Sequence, residues 1–210
     1  MRVRGGLGPA PTVSDLTIAR PRPVLVSAGH REGAAAMPPP FTPSIDNPYP
    51  ENYAGQDIDE FKFLTPLVLR REIEAVKMRG GKDDAEYVVG APYAVSYKLR
   101  GETGTRKITV PKGMLTDLAS VPRAAWALVA PVGPHLEASI AHDFLYIAWQ
   151  DLGREARDAD RSFADNIMHA GMVEAGVDRS QIVMIYSAVR AFGGQVYRKA
   201  DPPPRYVKLP

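Results

Sequence analysis

The sequence of 210 residues contains no cysteine. This absence excludes a disulfide scaffold, a cysteine nucleophile and every zinc or iron–sulfur site built on cysteine ligands. The chain also lacks the run of ~18 uninterrupted apolar residues that a spanning helix requires, so we expect no membrane span. Neither sign of charge dominates, because the 26 Lys and Arg residues are nearly balanced by the 24 Asp and Glu residues. Charge alone therefore indicates neither a nucleic-acid nor a membrane partner.

The composition nevertheless suffices for a folded domain. Hydrophobic residues make up 45% of the chain and charged residues 24%, which excludes wholesale disorder. The length allows one ordinary domain and an appendage, because domains cluster near ~100–150 residues. We expect a Pro-rich, largely irregular arm over residues 1–58, a single domain over residues 59–198 and an extended tail over residues 199–210.

The proposed arm is defined by its prolines. Residues 1–50 hold 10 of the 20 prolines and show no apolar periodicity, so they cannot supply a core element. Residues 1–36 are either a flexible arm or a start-site artefact, in which case translation begins at Met37. Phe41, Tyr49 and Tyr53 are spaced apolar anchors that would lie along the domain or a partner.

Between about residues 60 and 112 the sequence predicts a small antiparallel sheet. Short β-branched and aromatic runs alternate there with Gly, Pro and charged turns, which favours a meander of consecutive strands. Residues 70–79 are compatible with a strand extension or a helical turn. The clearest predicted strands are residues 61–64, 87–89, 93–99 and 107–110.

From about residue 123 to 193 the sequence predicts a cluster of three to four helices. Gly193-Gly194 is expected to end the last of them. Strands followed by helices indicate the α+β class rather than a doubly wound sheet. The predicted helices cover residues 123–130, 134–150, 154–175 and 179–192.

Two carboxylates interrupt apolar helical stripes. Asp143 lies at helical spacing between Ile140 and Ile147, and Asp160 precedes Phe163 on the next helix in the same way. A carboxylate on a buried face costs several kcal/mol unless it is paired. The candidate partners are Arg190, Arg157, His142, backbone donors or a metal ion.

One cation is also expected to point inward. On the last helix Val183, Tyr186 and Arg190 are spaced by 3 and 4 residues, which turns Arg190 toward the core. The first interpretation is therefore a structural network that joins the helices to the sheet. Its expected members besides the two carboxylates are Thr116, Ser120, Tyr146, Arg157 and Arg190.

The second interpretation is a metal-dependent hydrolase. Its catalytic set would be Asp117, His142, Asp143 and Asp160, with His142 and Asp143 as ligands of zinc or manganese. A His-Asp phosphohydrolase is excluded, because His135 lies two helical turns from His142, about 10 Å away. Nucleic-acid binding is not expected either, since no aromatic residue interleaves with a basic run.

Four ordered motifs carry a family resemblance. They are Thr-Asp-Leu-Ala-Ser-Val-Pro at 116–122, Ala-His-Asp-Phe-Leu-Tyr at 141–146, Arg-Asp-Ala-Asp-Arg-Ser-Phe at 157–163 and Tyr-Ser-Ala-Val-Arg-Ala-Phe-Gly at 186–193. Over about residues 60–198 the chain resembles domain-of-unknown-function family 1353, which is found in phages, prophages and bacteria. The stretch at residues 150–157 departs from the family by its greater length.

The resemblance implies a biological setting for the protein, but it implies no particular reaction. It suggests a phage or prophage accessory protein, with association with the particle as one version. Phage structural proteins would be its partners, and the host cytoplasm or the phage particle its location. No cofactor is expected under this interpretation, whereas the hydrolase alternative requires a divalent metal.

Overall fold

A computed structural model describes residues 41–71, 87–118, 133–201 and 204–209 of the chain. These residues lie within one compact unit, Pro39–Pro210. Several expectations concern residues outside the described ranges. They are the properties of residues 1–36, the start at Met37, the helix at 123–130, Ser120 and nearly all of the undecided stretch at 70–79.

Within the described residues, six strands form two three-stranded antiparallel sheets. The first sheet has the order β1-β4-β5 and the second has the order β2-β3-β6. The strands are β1 (Ile58–Phe63), β2 (Leu69–Arg70), β3 (Tyr87–Val89), β4 (Tyr93–Leu99), β5 (Arg106–Val110) and β6 (Leu115–Thr116).

The strands are antiparallel as predicted, but the prediction that they pair in chain order as a meander is wrong. β1 pairs with β4, with Phe61 opposite Tyr97, so it skips the two strands that follow it in the chain. The chain changes sheet between β3 and β4 at Gly90, whose N–H donates to the carbonyl of Val68 at 2.7 Å. A Cβ on Gly90 would lie 2.9 Å from Val68 Cγ1, so glycine allows this close corner.

Three helices follow the strands in the described part of the chain, which confirms the α+β class. They are α1 (Leu136–Asp151), α2 (Asp158–Glu174) and α3 (Arg179–Arg198). α2 packs on α1, on α3 and on β1, and α1 also contacts β5. The central strand β4 therefore lies beneath the helical layer, and its residues Tyr93, Val95, Tyr97 and Leu99 are buried in the main core.

Helix α3 differs from its prediction in length and in register. It continues through Gly193-Gly194 to Arg198, so the predicted stop is wrong. Its buried stripe runs through Ile185 and Val189, whereas Val183 is 58% exposed. Gly193 is in the helix because of packing: an added Cβ would lie 2.5 Å from the hydroxyl of Tyr146.

Residues 41–57 have no regular structure, yet part of this segment belongs to the core. Tyr49 and Tyr53 are buried, and both rings pack edge-on against Phe163 of α2. The Tyr49 hydroxyl donates to the carbonyl of Leu145 and accepts from the N–H of Trp149 at 3.1 Å. Phe41, the third expected anchor, is exposed.

The C-terminal segment is extended and is bound to the domain. The N–H of Leu115 donates to the carbonyl of Arg205, and Tyr206 forms a β-bridge with Met114. The guanidinium of Arg205 holds the buried carboxylate of Asp151 at 2.6 Å, and the Tyr206 hydroxyl donates to the other oxygen of the same carboxylate. This segment therefore satisfies a charge at the last residue of α1, where the helix dipole disfavours an anion.

The ion pair between Arg205 and Asp151 provides a test of whether the C-terminal segment stabilises the fold. Arg205→Ala should lower the free energy of unfolding by about 3–5 kcal/mol, because it leaves a carboxylate buried without its cation. Urea denaturation measures the change. Arg198→Ala is the control, because its pair with Asp158 is exposed on both sides and should contribute no more than ~1 kcal/mol. Equal losses in the two variants would contradict the assignment.

Adjacent glycines of α3 form a second matched pair. Gly193→Ala should destabilise the fold, because its Cβ would displace the Tyr146 hydroxyl. At Gly194 the nearest atoms to an added Cβ belong to Arg161, at 3.9 Å. Gly194→Ala should therefore stabilise the protein by up to ~1 kcal/mol through helix propensity. Thermal denaturation compares the two, and a stabilising Gly193→Ala would show that Tyr146 has room to move.

Candidate functional site

The most connected ionisable group of the helical layer is Asp165 on α2, whose side chain is fully buried. Its Oδ1 accepts from the hydroxyl of Tyr146 at 2.7 Å and lies 3.1 Å from Nε2 of His142. Its Oδ2 accepts from Nη1 of Arg190 at 3.0 Å, and Nη1 of Arg161 lies 3.5 Å away. One carboxylate thus joins groups from all three described helices.

These neighbours keep Asp165 ionised. Burial alone raises the pKa of this carboxyl, but the hydrogen bond and charge of His142, with Tyr146 and Arg161, lower it by more. The net pKa is below the usual value. Because an ionised carboxylate only accepts hydrogen bonds, the facing nitrogen of His142 must carry a proton.

His142 lies between two carboxylates. Its Nε2 faces Asp165, and its Nδ1 lies 3.9 Å from Oδ1 of Asp143, beyond hydrogen-bond distance. Burial lowers the pKa of this imidazole, but the neighbouring carboxylates of Asp143 and Asp165 raise it by more, so the net pKa is above the usual value. The ring also packs against that of Tyr146, with 4.0 Å between centroids. The surroundings of His142 therefore favour a cation.

Asp143 connects the helical layer to the turn after β6. Its Oδ2 accepts from the hydroxyl of Thr116 at 2.7 Å, and the Thr116 oxygen accepts from the N–H of Leu118 at 3.1 Å. Leu118 has φ +57°, which is the left-handed region. That conformation costs a non-glycine residue about 1–2 kcal/mol. The hydrogen bond to Thr116 and the burial of Leu118 in the main core help to offset this cost.

The two carboxylates predicted on inward stripes have different surroundings. Asp143 is 19% exposed, and its described partner in the sheet is Thr116. Asp160 is almost fully buried and pairs with Arg154 at 3.3 Å. Burial raises the pKa of Asp160, against the charges of Arg154 and Arg157. The sequence named Arg157 as a partner, but the hydrogen-bonding cation is Arg154, which also donates to Asn47 of the irregular segment.

The remaining predicted network residues are only partly in place. Tyr146 and Arg190 both bind Asp165, so they belong to the network, although the side chain of Arg190 is 38% exposed. Arg157 precedes α2 and is exposed. Arg190 was expected to point into the core, but it is exposed and reaches the buried carboxylate of Asp165, which the sequence interpretation did not include.

The hydrolase set is not assembled into a metal site in the ranges that the structure covers. No group of three or more His, Asp or Glu side chains there is arranged to hold a metal ion. His142 pairs with Asp165 instead, Asp160 pairs with Arg154, and Asp117 is exposed. A catalytic role for any of these residues stays a prediction.

Sequence analysis missed Asp165, the residue on which the site depends. The signal was present, because Asp165, Met168 and Met172 are spaced by 3 and 4 residues, as on the stripes that identified Asp143 and Asp160. Arg161 also precedes Asp165 by four residues, which is the spacing of a helical ion pair.

Comparison with known families agrees with the resemblance. The model of a family described as "Protein of unknown function (DUF1353)" matches residues 93–189. This span begins at β4 and includes Thr116, His142, Asp143 and Asp165. No curated protein matches the chain, and no solved structure matches it.

Among the residues described, no helix is both long enough and apolar enough to cross a membrane.

The role of Asp165 can be measured by its removal. Asp165→Ala should lower the free energy of unfolding by about 3–5 kcal/mol, because the buried His142 and Tyr146 lose their acceptor and Arg161 and Arg190 their anion. Asp158→Ala on the same helix is the control, since its ion pair is exposed. A melting temperature unchanged by Asp165→Ala would show that the network does not hold the helices together.

Proposed function

We propose that this chain is a non-enzymatic phage or prophage accessory protein that associates with the particle. Its charged motif residues would act as structural connectors rather than as catalysts. The family match gives no activity that could be transferred, since the family is one of unknown function. The phage setting follows from the resemblance of the four motifs to that family.

One observation carries the non-enzymatic part of the proposal. The imidazole of His142 and the most buried carboxylates in and beside the motifs are engaged with other side chains: His142 with Asp165, Asp165 with Arg190 and Asp160 with Arg154. His142 itself is only 2% exposed. A general acid or base must come within hydrogen-bond reach of its substrate. A buried, paired imidazole supports a structural role better than a catalytic one.

The surface of α3 carries exposed apolar residues that would suit a protein partner. Phe192 and Val196, four residues apart on α3, are both more than 60% exposed. Exposed large hydrophobic residues that share a helix face would suit a docking surface if they form part of a larger apolar patch. An accessory protein requires such a surface, whereas a small hydrolase requires a concave pocket around its reactive groups.

The experiment is a search for the chain in purified particles. In a host that carries the gene, particles are induced, purified on a density gradient and analysed by mass spectrometry. We expect the chain to sediment with the particles. Phe192→Ser combined with Val196→Ser should reduce its recovery at unchanged melting temperature, and Val173→Ser, at an exposed position on α2, is the control. Absence of the chain from the particles would overturn the proposal of particle association.

A further inference from the structure

The segment at residues 205–209 lies along the outer edge of the second sheet as an added strand. The N–H of Leu115 donates to the carbonyl of Arg205 at 2.9 Å, and the N–H of Val207 donates to the carbonyl of Gly113 at 2.9 Å. The pairing is antiparallel. Extended peptides bind to sheet edges in this way, with main-chain hydrogen bonds for affinity and side-chain contacts for specificity. The segment therefore occupies its own domain as a peptide ligand would.

The edge is shaped for an extended backbone. Gly113 has φ +91°, and a Cβ at this position would collide with the carbonyl oxygen of Val207. Only glycine allows this approach. Val207 and Leu209, two residues apart on one side of the strand, pack against Val88 and Leu115.

Asp151 completes the recognition of the segment. Its side chain has no exposed surface, and its Oδ1 accepts from Nε of Arg205 at 2.9 Å and from Nη2 at 2.6 Å. Its Oδ2 accepts from the hydroxyl of Tyr206. We call Asp151, Val88 and the edge at residues 113–115 the acceptor slot.

The acceptor slot cannot remain empty at low cost, because a buried carboxylate without its cation is strongly destabilising. A replacement strand must bring a guanidinium, a phenol and then apolar side chains at alternate positions. A second copy of this chain carries these groups in the required order, from Arg205 to Leu209.

The connection between α3 and the segment favours such a replacement. Residues 202–204 are three consecutive prolines, which have no N–H to donate to the domain. Proline runs act as semi-rigid, extended spacers. Short hinge segments favour exchange of an element between copies, and the cost is low because the closed and exchanged forms share the same contacts.

We propose that copies of this chain exchange residues 205–209, so that the segment of one copy fills the acceptor slot of another. Reciprocal exchange gives a two-fold dimer in which both Asp151 carboxylates are paired with the Arg205 of the opposite copy. The proposal does not depend on the phage setting, because it uses only contacts that the chain already makes with itself.

Two full-length variants with complementary defects test the exchange. Asp151→Ala removes the carboxylate from the slot, and Arg205→Ala removes the cation from the segment. Each variant alone leaves one charge unpaired, whether it is closed or exchanged with itself. In an exchanged dimer of the two variants, one slot contains the native ion pair and the other contains neither charge. Loss of both members of a buried pair is often nearly neutral, whereas loss of one is costly.

The variants are mixed in equal amounts in urea, with one of them isotope-labelled, and refolded together. Native mass spectrometry then counts the dimers of each composition, and thermal denaturation follows their stability. We expect the mixed dimer to exceed either homodimer by more than about tenfold. The mixture should also melt above both separate variants.

Asp158→Ala mixed with Arg198→Ala is the matched control, because this ion pair also joins distant residues but is exposed and lies outside the slot. This mixture should show no preference for mixed dimers. A mixture of the slot and segment variants that contains only monomers, or dimers without that preference, would overturn the proposal. If neither variant folds separately, failure to fold together would overturn it as well.

Discussion

The helical layer depends on the burial of one carboxylate. Removing Asp165 from water costs several kcal/mol, and this cost is offset only if hydrogen-bond donors surround the charge. The hydroxyl of Tyr146, Nε2 of His142 and Nη1 of Arg190 supply them from two other helices. α1 and α3 can therefore pack on α2 only in the register that brings these donors to the carboxylate. The hydrophobic contacts beside them, which are not directional, do not impose that requirement.

Two further buried carboxylates are stabilised in the same way, each by a segment outside regular structure. Asp151 at the end of α1 is held by Arg205 and Tyr206, which lie 54 and 55 residues further along the chain. Asp160 at the start of α2 is held by Arg154, whose guanidinium also binds Asn47. The irregular segments at both ends of the described chain are thereby bound to helix termini, and this explains why they belong to the compact unit although they form almost no secondary structure.

The sequence predicted what local spacing can encode. The α+β class followed from strand patterns that precede helical ones, and the inward positions of Asp143 and Asp160 followed from the 3 and 4 spacing of their neighbours. The same 3 and 4 spacing would also have identified Asp165 as an inward carboxylate. The pairs Asp151–Arg205 and β1–β4 were not, because a partner across 54 residues or across two intervening strands leaves no periodic trace. Gly193 was wrongly predicted to end the last helix for the same reason, since its closeness to Tyr146 is a tertiary contact.

A buried polar network is weak evidence for stability, because well-packed apolar residues of equal volume often serve as well. Its physical advantage lies elsewhere. A carboxylate with several fixed donors distinguishes one helix register from its neighbours, since a shift of one residue leaves charges unpaired. An imidazole within such a network adds a group whose charge can change near neutral pH. Beside this network, the hydrogen bond from Thr116 to Asp143 joins the strained turn at Leu118 to α1. Asp143, unlike His142 and Asp165, keeps contact with solvent, so this attachment lies at the surface of the network rather than in its centre.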